Sequence, residues 1–222
     1  ASFNNIQFLG KILKADGTEF TEGTTLDSTT DITVKDADIN GNIKLASTGR
    51  IIIDSTDTNF IIQGSGAAAV NISGTRNVII GHLAAKDITS GKNNNIFGRE
   101  AAYNLTTGDY NNILGERAAK KLTTGTYNNI MGNWVCGNGN MTGSGYNNIF
   151  GYMSGYELTS GGYNNIFGFG TAYKLDTGDY NNILGERAAY NLTTGSYNNI
   201  MGYRAGYNTT TGEGSIFLGD SA

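Results

Sequence analysis

The stretch Gly108-Asp109-Tyr110-Asn111-Asn112-Ile113-Leu114-Gly115-Glu116-Arg117-Ala118-Ala119 recurs letter for letter as Gly178 to Ala189. Inside this large copy runs a shorter period. Ile79, Ile96, Ile113 and Ile130 are spaced by 17 residues, and after one 19-residue step so are Ile149, Ile166, Ile183 and Ile200. Glycine follows this column at a constant offset, from Gly81 and Gly98 through to Gly202 and Gly219, and Phe217 takes the Ile place in the last rung. A fixed short period is the signature of a stacked architecture, because each rung alone is unable to bury its apolar face. The 70-residue offset between the two identical stretches equals four rungs plus the two extra residues. Tandem duplication of a four-rung block accounts for it, and that mode of growth adds length rather than a unique pocket.

The rung reads roughly Tyr-Asn-Asn-Ile-x-Gly-x-x-Ala-Ala-Tyr-x-Leu-Thr-Thr-Gly-x. Paired Asn, Thr-Thr-Gly and two glycines per rung leave no run of about ten good helix formers, so the pattern predicts short strands. Tyr-Asn-Asn-Ile-Leu is expected to be one strand ending at Gly, and Ala-Ala-Tyr-x-Leu a second ending at Thr-Thr-Gly. Stacked in register at about 4.8 Å per rung, nine rungs extend on the order of 40 Å. The fold class is all-β, a parallel β-roll or β-solenoid with a 17-residue rung. Its core is the column Ile79, Ile96, Ile113, Ile130, Ile149, Ile166, Ile183 and Ile200, joined by a Leu column (Leu105, Leu122, Met141, Leu158, Leu175, Leu192) and by small residues at Ala101, Ala118, Ala188 and Ala205. Asn95, Asn112, Asn129, Asn148, Asn165, Asn182 and Asn199 are expected to form an amide ladder, inward or half buried because Val78 and Ile216 occupy its ends. Two tyrosine columns per chain, left uncovered, make apolar stripes larger than those usual on a monomer. Self-association about a cyclic axis is therefore expected.

The repeat becomes regular only near residue 60, so the chain divides into an N-terminal β region, 1–58, and a repeat shaft, 59–222. Within the first region the apolar terminus Phe3, Ile6, Phe8 and Leu9 is either a docking peptide for a larger particle or a cap over the first rung's open edge. Net charge is −4 and Lys and Arg form no cluster, which argues against nucleic acid and anionic membrane as partners. No apolar run approaches the roughly 20 residues of a membrane-spanning helix. A single cysteine, Cys136, excludes an intrachain disulfide framework.

Three stretches carry a family likeness: Asn77-Val78-Ile79-Ile80-Gly81-His82-Leu83-Ala84, Asn112-Ile113-Leu114-Gly115-Glu116-Arg117-Ala118 and Ser215-Ile216-Phe217-Leu218-Gly219-Asp220-Ser221-Ala222. They resemble the rung of the left-handed parallel β-roll in head domains of trimeric autotransporter adhesins. With Tyr-Asn and Thr-Thr-Gly in the return loop, they are also similar to repeats of bacteriophage tail-fibre and virion-fibre proteins. Asp31 to Leu45 and Arg50 to Asp54 look like steps common in phage fibre proteins and tilt the reading that way. The resemblance implies a homotrimeric fibre segment of a virion, a rigid spacer that contacts other tail proteins through its N-terminal region and a host glycan or protein on its surface. The alternatives are an adhesin head on a bacterial surface and, further away, a carbohydrate-binding or ice-binding solenoid. Adjacent threonines such as Thr106-Thr107 point to different faces and weaken the ice reading.

No enzymatic site and no cofactor are expected. His82 is the only imidazole and falls in a column otherwise held by Arg99, Glu116 and Tyr203, a surface position. Glu116-Arg117 and Glu186-Arg187 read as a solvated ion-pair edge. Asp109 and Asp179 are the only sites considered for a cation, and the calcium-roll repeat that needs Asp in nearly every turn is absent. Trp134 lies in the one irregular rung, which carries two extra residues. It is read as a ligand-presenting side chain on a bulge or as ordinary packing, with Cys136 a buried thiol in the small column beside Ala119 and Gly155.

Overall fold

A computed structural model describes residues 60–62, 73–143 and 145–222. The N-terminal region and its four apolar residues, Phe3, Ile6, Phe8 and Leu9, lie outside the described residues. The rest is a parallel β-solenoid with one turn per 17-residue rung and, among the described residues, no helix.

Each rung contributes one three-residue strand: β1 (Phe60–Ile62), β2 (Val78–Ile80), β3 (Asn95–Phe97), β4 (Asn112–Leu114), β5 (Asn129–Met131), β6 (Asn148–Phe150), β7 (Asn165–Phe167), β8 (Asn182–Leu184), β10 (Asn199–Met201) and β12 (Ile216–Leu218). They form a single parallel sheet in chain order, with Ile79 opposite Ile96, Ile96 opposite Ile113, and so on to Ile200 opposite Phe217. The register persists through the 19-residue step, where Ile130 pairs with Ile149. Sequence and structure agree on the core: all eight isoleucines of the column are fully buried, as are the Leu column and Ala101, Ala118, Ala188 and Ala205.

The second expected strand does not form. Ala-Ala-Tyr-x-Leu is instead the far side of two successive β-turns, one closed by Ala118 N–H on Gly115 C=O (3.3 Å) and the next by Leu122 N–H on Ala119 C=O (3.0 Å). The third residue of the first turn is left-handed in every rung, with φ of 56° at both Glu100 and Arg117 and 59° at Trp134, which is the dihedral a type II turn requires there. Non-glycine residues hold it at a cost of about 1 kcal/mol each. Inter-rung bonds repay that cost, among them Arg117 N–H to Arg99 C=O at 2.9 Å and Ala102 N–H to Ala118 C=O at 2.9 Å. The second ladder lies at the Thr-Thr-Gly corner, where β9 (Thr194–Ser196) pairs in parallel with β11 (Thr211–Glu213). Isolated bridges extend it backwards through Thr177 and Ser160.

Glycine is required where the strand meets the first turn. Gly115 has φ +130°, and a Cβ there would lie 2.2 Å from the carbonyl oxygen of Gly132 in the next rung. The close approach repeats at Gly81, Gly98, Gly132, Gly151, Gly168, Gly185 and Gly202.

Candidate functional site

Along Tyr110-Asn111-Asn112-Ile113-Leu114 the side chains alternate between solvent and core. Tyr110, Asn112 and Leu114 face out and Asn111 and Ile113 face in. Three columns therefore run side by side on the outer face. The first is the tyrosine column Tyr110, Tyr127, Tyr146, Tyr163, Tyr180 and Tyr197, whose rings stack at 4.8–5.1 Å and are each 44–55% exposed. The rung spacing imposes this face-to-face stack, which isolated aromatic pairs avoid. Neighbouring rings cover one another's faces, so the inner members of the column offer a ligand only their edges and hydroxyls.

The second column is the predicted amide ladder. Asn95 Nδ2 donates to Asn112 Oδ1 at 2.8 Å, Asn112 to Asn129, Asn129 to Asn148, Asn148 to Asn165 and Asn165 to Asn182 at the same distance, and Asn182 to Asn199 at 3.0 Å. It lies on the outer face, exposed at Asn95 and half buried from Asn112 onward, and not in the core. Val78 and Ile216 in this column signalled an apolar outer surface, not an interior. The third column completes that surface: Phe97, Leu114, Met131 and Phe150 are half buried, and Phe167, Leu184 and Met201 are 36–42% exposed.

The inward amide ladder is the preceding asparagine, which sequence reasoning passed over: Asn77, Asn94, Asn111, Asn128, Asn147, Asn164, Asn181 and Asn198, all at 0–1% exposure. The Nδ2 groups of Asn94, Asn111, Asn147, Asn164, Asn181 and Asn198 each donate to the Oδ1 of the Asn one rung before and to a glycine carbonyl 14 residues on, as Asn164 does to Asn147 (3.0 Å) and Gly178 (2.8 Å). Each Oδ1 from Asn77 to Asn181 in turn accepts the backbone N–H and the Nδ2 of the Asn one rung after, as Asn164 does from Asn181, both at 3.0 Å, and Asn198 accepts Ser215 N–H at 2.9 Å. The available signal was parity: residues two apart on a strand share a face, so the Asn two before the buried Ile had to be buried with it.

The polar edge is more organised than a run of solvated ion pairs. Glu100, 7% exposed, receives Lys120 Nζ at 2.6 Å and Arg117 Nε at 2.9 Å, with Arg99 at 3.3 Å, while Arg99 also bridges to Glu116 at 2.9 Å. The shortest of these pairs are between rungs, and the pair of sequence neighbours, Arg99 and Glu100, is the longest. Hydrogen bonds from Lys120 and then Arg117 hold the Glu100 carboxyl at about 2, against an ordinary 4.5. A folded-state value below the unfolded one contributes stability that is complete above about pH 4.5 and is lost as pH falls through about 2. The melting temperature should accordingly fall between those limits, and Glu100→Gln should flatten that part of the curve; an identical slope in the variant would remove Glu100 as a source of acid sensitivity. The second copy of Gly-Glu-Arg differs. Neither Glu186 nor Arg187 has an ion-pair partner among the described residues.

The two extra residues of the irregular rung fall between Cys136 and Met141, after Trp134. Trp134 occupies the regular left-handed turn position, half buried, with the Arg117 guanidinium 4.5 Å above its ring and Tyr156 6.4 Å away. Cys136 is fully buried in the small column, 3.5 Å from where a Cβ on Gly155 would be, and burial pushes its thiol pKa up. His82 is exposed. The Asp109 carboxylate accepts Lys92 N–H at 2.6 Å and that of Asp179 accepts Gly162 N–H at 2.7 Å, which ties both to the neighbouring rung's backbone. Among the described residues, no three His, Cys, Asp or Glu side chains come together as a metal site would need.

Comparison with known proteins adds no relative. No protein-family model matches the chain, and no curated protein or solved structure matches it. The surfaces themselves carry the functional reading. One of them is the outer sheet face, where the amide ladder, the apolar column and the tyrosine stack run side by side.

Proposed function

We propose that this chain is a structural segment of a virus-particle fibre, of the bacteriophage tail-fibre kind, in which three copies pack their outer sheet faces about a common axis. The observation that carries the reading is the apolar column Phe97, Leu114, Met131, Phe150, Phe167, Leu184 and Met201, which runs unbroken beside a self-satisfied amide ladder. Such a face needs no polar partner and gains from exclusion of water along its whole length. Cyclic association is the closed way to cover the same face on every copy.

The proposed mechanism is mechanical. From β3 to β10 each rung is bonded to the next through its strand, its turns and both asparagine columns, so bending the stack means breaking several hydrogen bonds at once. Repetition then sets length in steps of one rung, which suits a spacer. Attachment to other tail proteins through the N-terminal region and contact with a host glycan or protein belong to the same proposal.

The test is native mass by light scattering, where the trimer is three times 23.5 kDa, about 70 kDa. The double variant Leu184→Lys, Met201→Lys places two charges on the column without touching the buried core. It should shift the mass to that of one chain with the β-sheet circular dichroism retained. A wild-type mass of one chain, or a double variant that stays trimeric, would reject the outer face as the interface.

A further inference from the structure

The duplicated block supplies an internal comparison that isolates one cleft. In the first block Arg117 is neutralised by Glu100, one rung before it, and Glu100 is also held by Lys120 and Arg99. A shift of 70 residues carries Arg117 to Arg187, Glu100 to Gly170, Lys120 to Tyr190 and Arg99 to Phe169. The second block thus keeps the central guanidinium and loses its carboxylate together with two of the cations around it. Among the described residues Arg187 has no ion pair, and the Phe169 ring lies 5.8 Å from its guanidinium carbon. Arg204, the next member of the same column, also lacks an ion pair, and its buried Nε has no hydrogen-bond partner.

At the position equivalent to Glu100, Gly170 lines a cleft of about 350 Å³ together with Met153, Phe169, Tyr173, Arg187, Tyr190 and Tyr207. Glycine is not demanded there by the backbone. Its φ of 59° is that of the whole column, held by Glu100 at 56° and Met153 at 54°, and an added Cβ would meet only ordinary contacts at 3.7–3.9 Å. A side chain at 170 would project against Arg187 and Tyr190, and glycine keeps that part of the cleft wall free of one. A cleft of this volume is at the small end of ligand pockets and takes one or two sugar rings.

We propose that this cleft binds an acidic saccharide, whose carboxylate takes the place beside Arg187 that the Glu100 carboxylate holds beside Arg117. The carboxylate meets an uncompensated guanidinium, the strongest polar pairing available at the surface. The sugar's C–H face lies against Met153 and the ring edges of Tyr173 and Tyr190. The cleft is on the turn side of the coil, away from the outer sheet face, so the inference is independent of the number of copies in the assembly.

The experiment is titration of the full chain with glucuronate at low ionic strength, followed by calorimetry or ligand-observed NMR, with glucose, acetate and inorganic phosphate as comparison probes. Saturable binding of glucuronate, with the three comparison probes at least about tenfold weaker, is the expected result. Arg187→Gln should weaken glucuronate by about tenfold or more, and Gly170→Glu, which rebuilds the carboxylate of the first block from within, should abolish it. Gly170→Glu keeps the fold intact because Glu100 already occupies the equivalent dihedral, and circular dichroism checks that. The proposal is overturned if glucuronate does not bind, if acetate or phosphate binds as well as glucuronate, or if both variants bind like the wild type.

Discussion

Replacing Gly115 by alanine is expected to abolish the folded solenoid around that rung, a loss of more than about 4 kcal/mol. The added Cβ would fall 2.2 Å from Gly132 C=O and 2.6 Å from the carbonyl carbon behind it. The obstacle is backbone, and the neighbouring rung is unable to retreat without breaking the β4–β5 ladder. The φ of +130° adds strain that no L side chain relieves. Thermal melts and limited proteolysis read the result, and Gly143→Ala is the control: it also has positive φ, at 65°, but nothing lies within 4 Å of its Cβ. That variant should cost about 1 kcal/mol. A Gly115→Ala protein melting like Gly143→Ala would show that the glycine column does not set the rung spacing.

Two adjacent asparagines should respond very differently to alanine. Asn164→Ala leaves Gly178 C=O and Asn181 N–H without the side-chain partners they have at 2.8 and 3.0 Å, the first partly and the second fully buried. At about 1–3 kcal/mol for each buried group left unsatisfied, the loss should be about 3–5 kcal/mol. Asn165→Ala removes a donation to Asn182 and an acceptance from Asn148, both at 2.8 Å, on a half-buried face where water replaces them. Its loss should be near 1 kcal/mol. A repeat array does not unfold in one concerted step, so hydrogen exchange at the flanking rungs is the sharper readout than a single transition midpoint. Equal protection in the two variants would contradict the assignment of inner and outer ladders.

These two experiments also mark where the sequence was legible. The Ile, Leu and small-residue columns were readable from spacing alone, because a period of 17 forces like residues onto like residues and apolar ones have one place to go. The amide ladder through Asn112 was readable for the same reason. Its face was not, since in Tyr-Asn-Asn-Ile both asparagines repeat equally well and the column's end residues, Val78 and Ile216, favour burial whether the covering surface is the core or another chain. The false strand at Ala-Ala-Tyr-x-Leu has a related cause. Small and aromatic residues in alternation satisfy a β pattern, while the left-handed dihedrals of Ala102, Ala119 and Ala189 follow from the turn before them and from hydrogen bonds to the next rung.

Site chemistry followed the same division. Glu116-Arg117 was recognisable as a charged edge, but its partners are chosen across rungs, so identical letters at Gly115-Glu116-Arg117 and Gly185-Glu186-Arg187 end in different environments. Trp134 stands out because its rung carries two extra residues, and only their position after Cys136 shows that it occupies a regular place.

By itself, then, the sequence determined the period, the parallel register and the identity of the apolar core, because periodicity is one-dimensional information and a stacked coil converts it directly into columns. Only the tertiary structure decided which asparagine is buried, where the chain turns and which arginine is left without a carboxylate. Those depend on side-chain direction and on the residue one rung away, and neither is written next to the residue it governs.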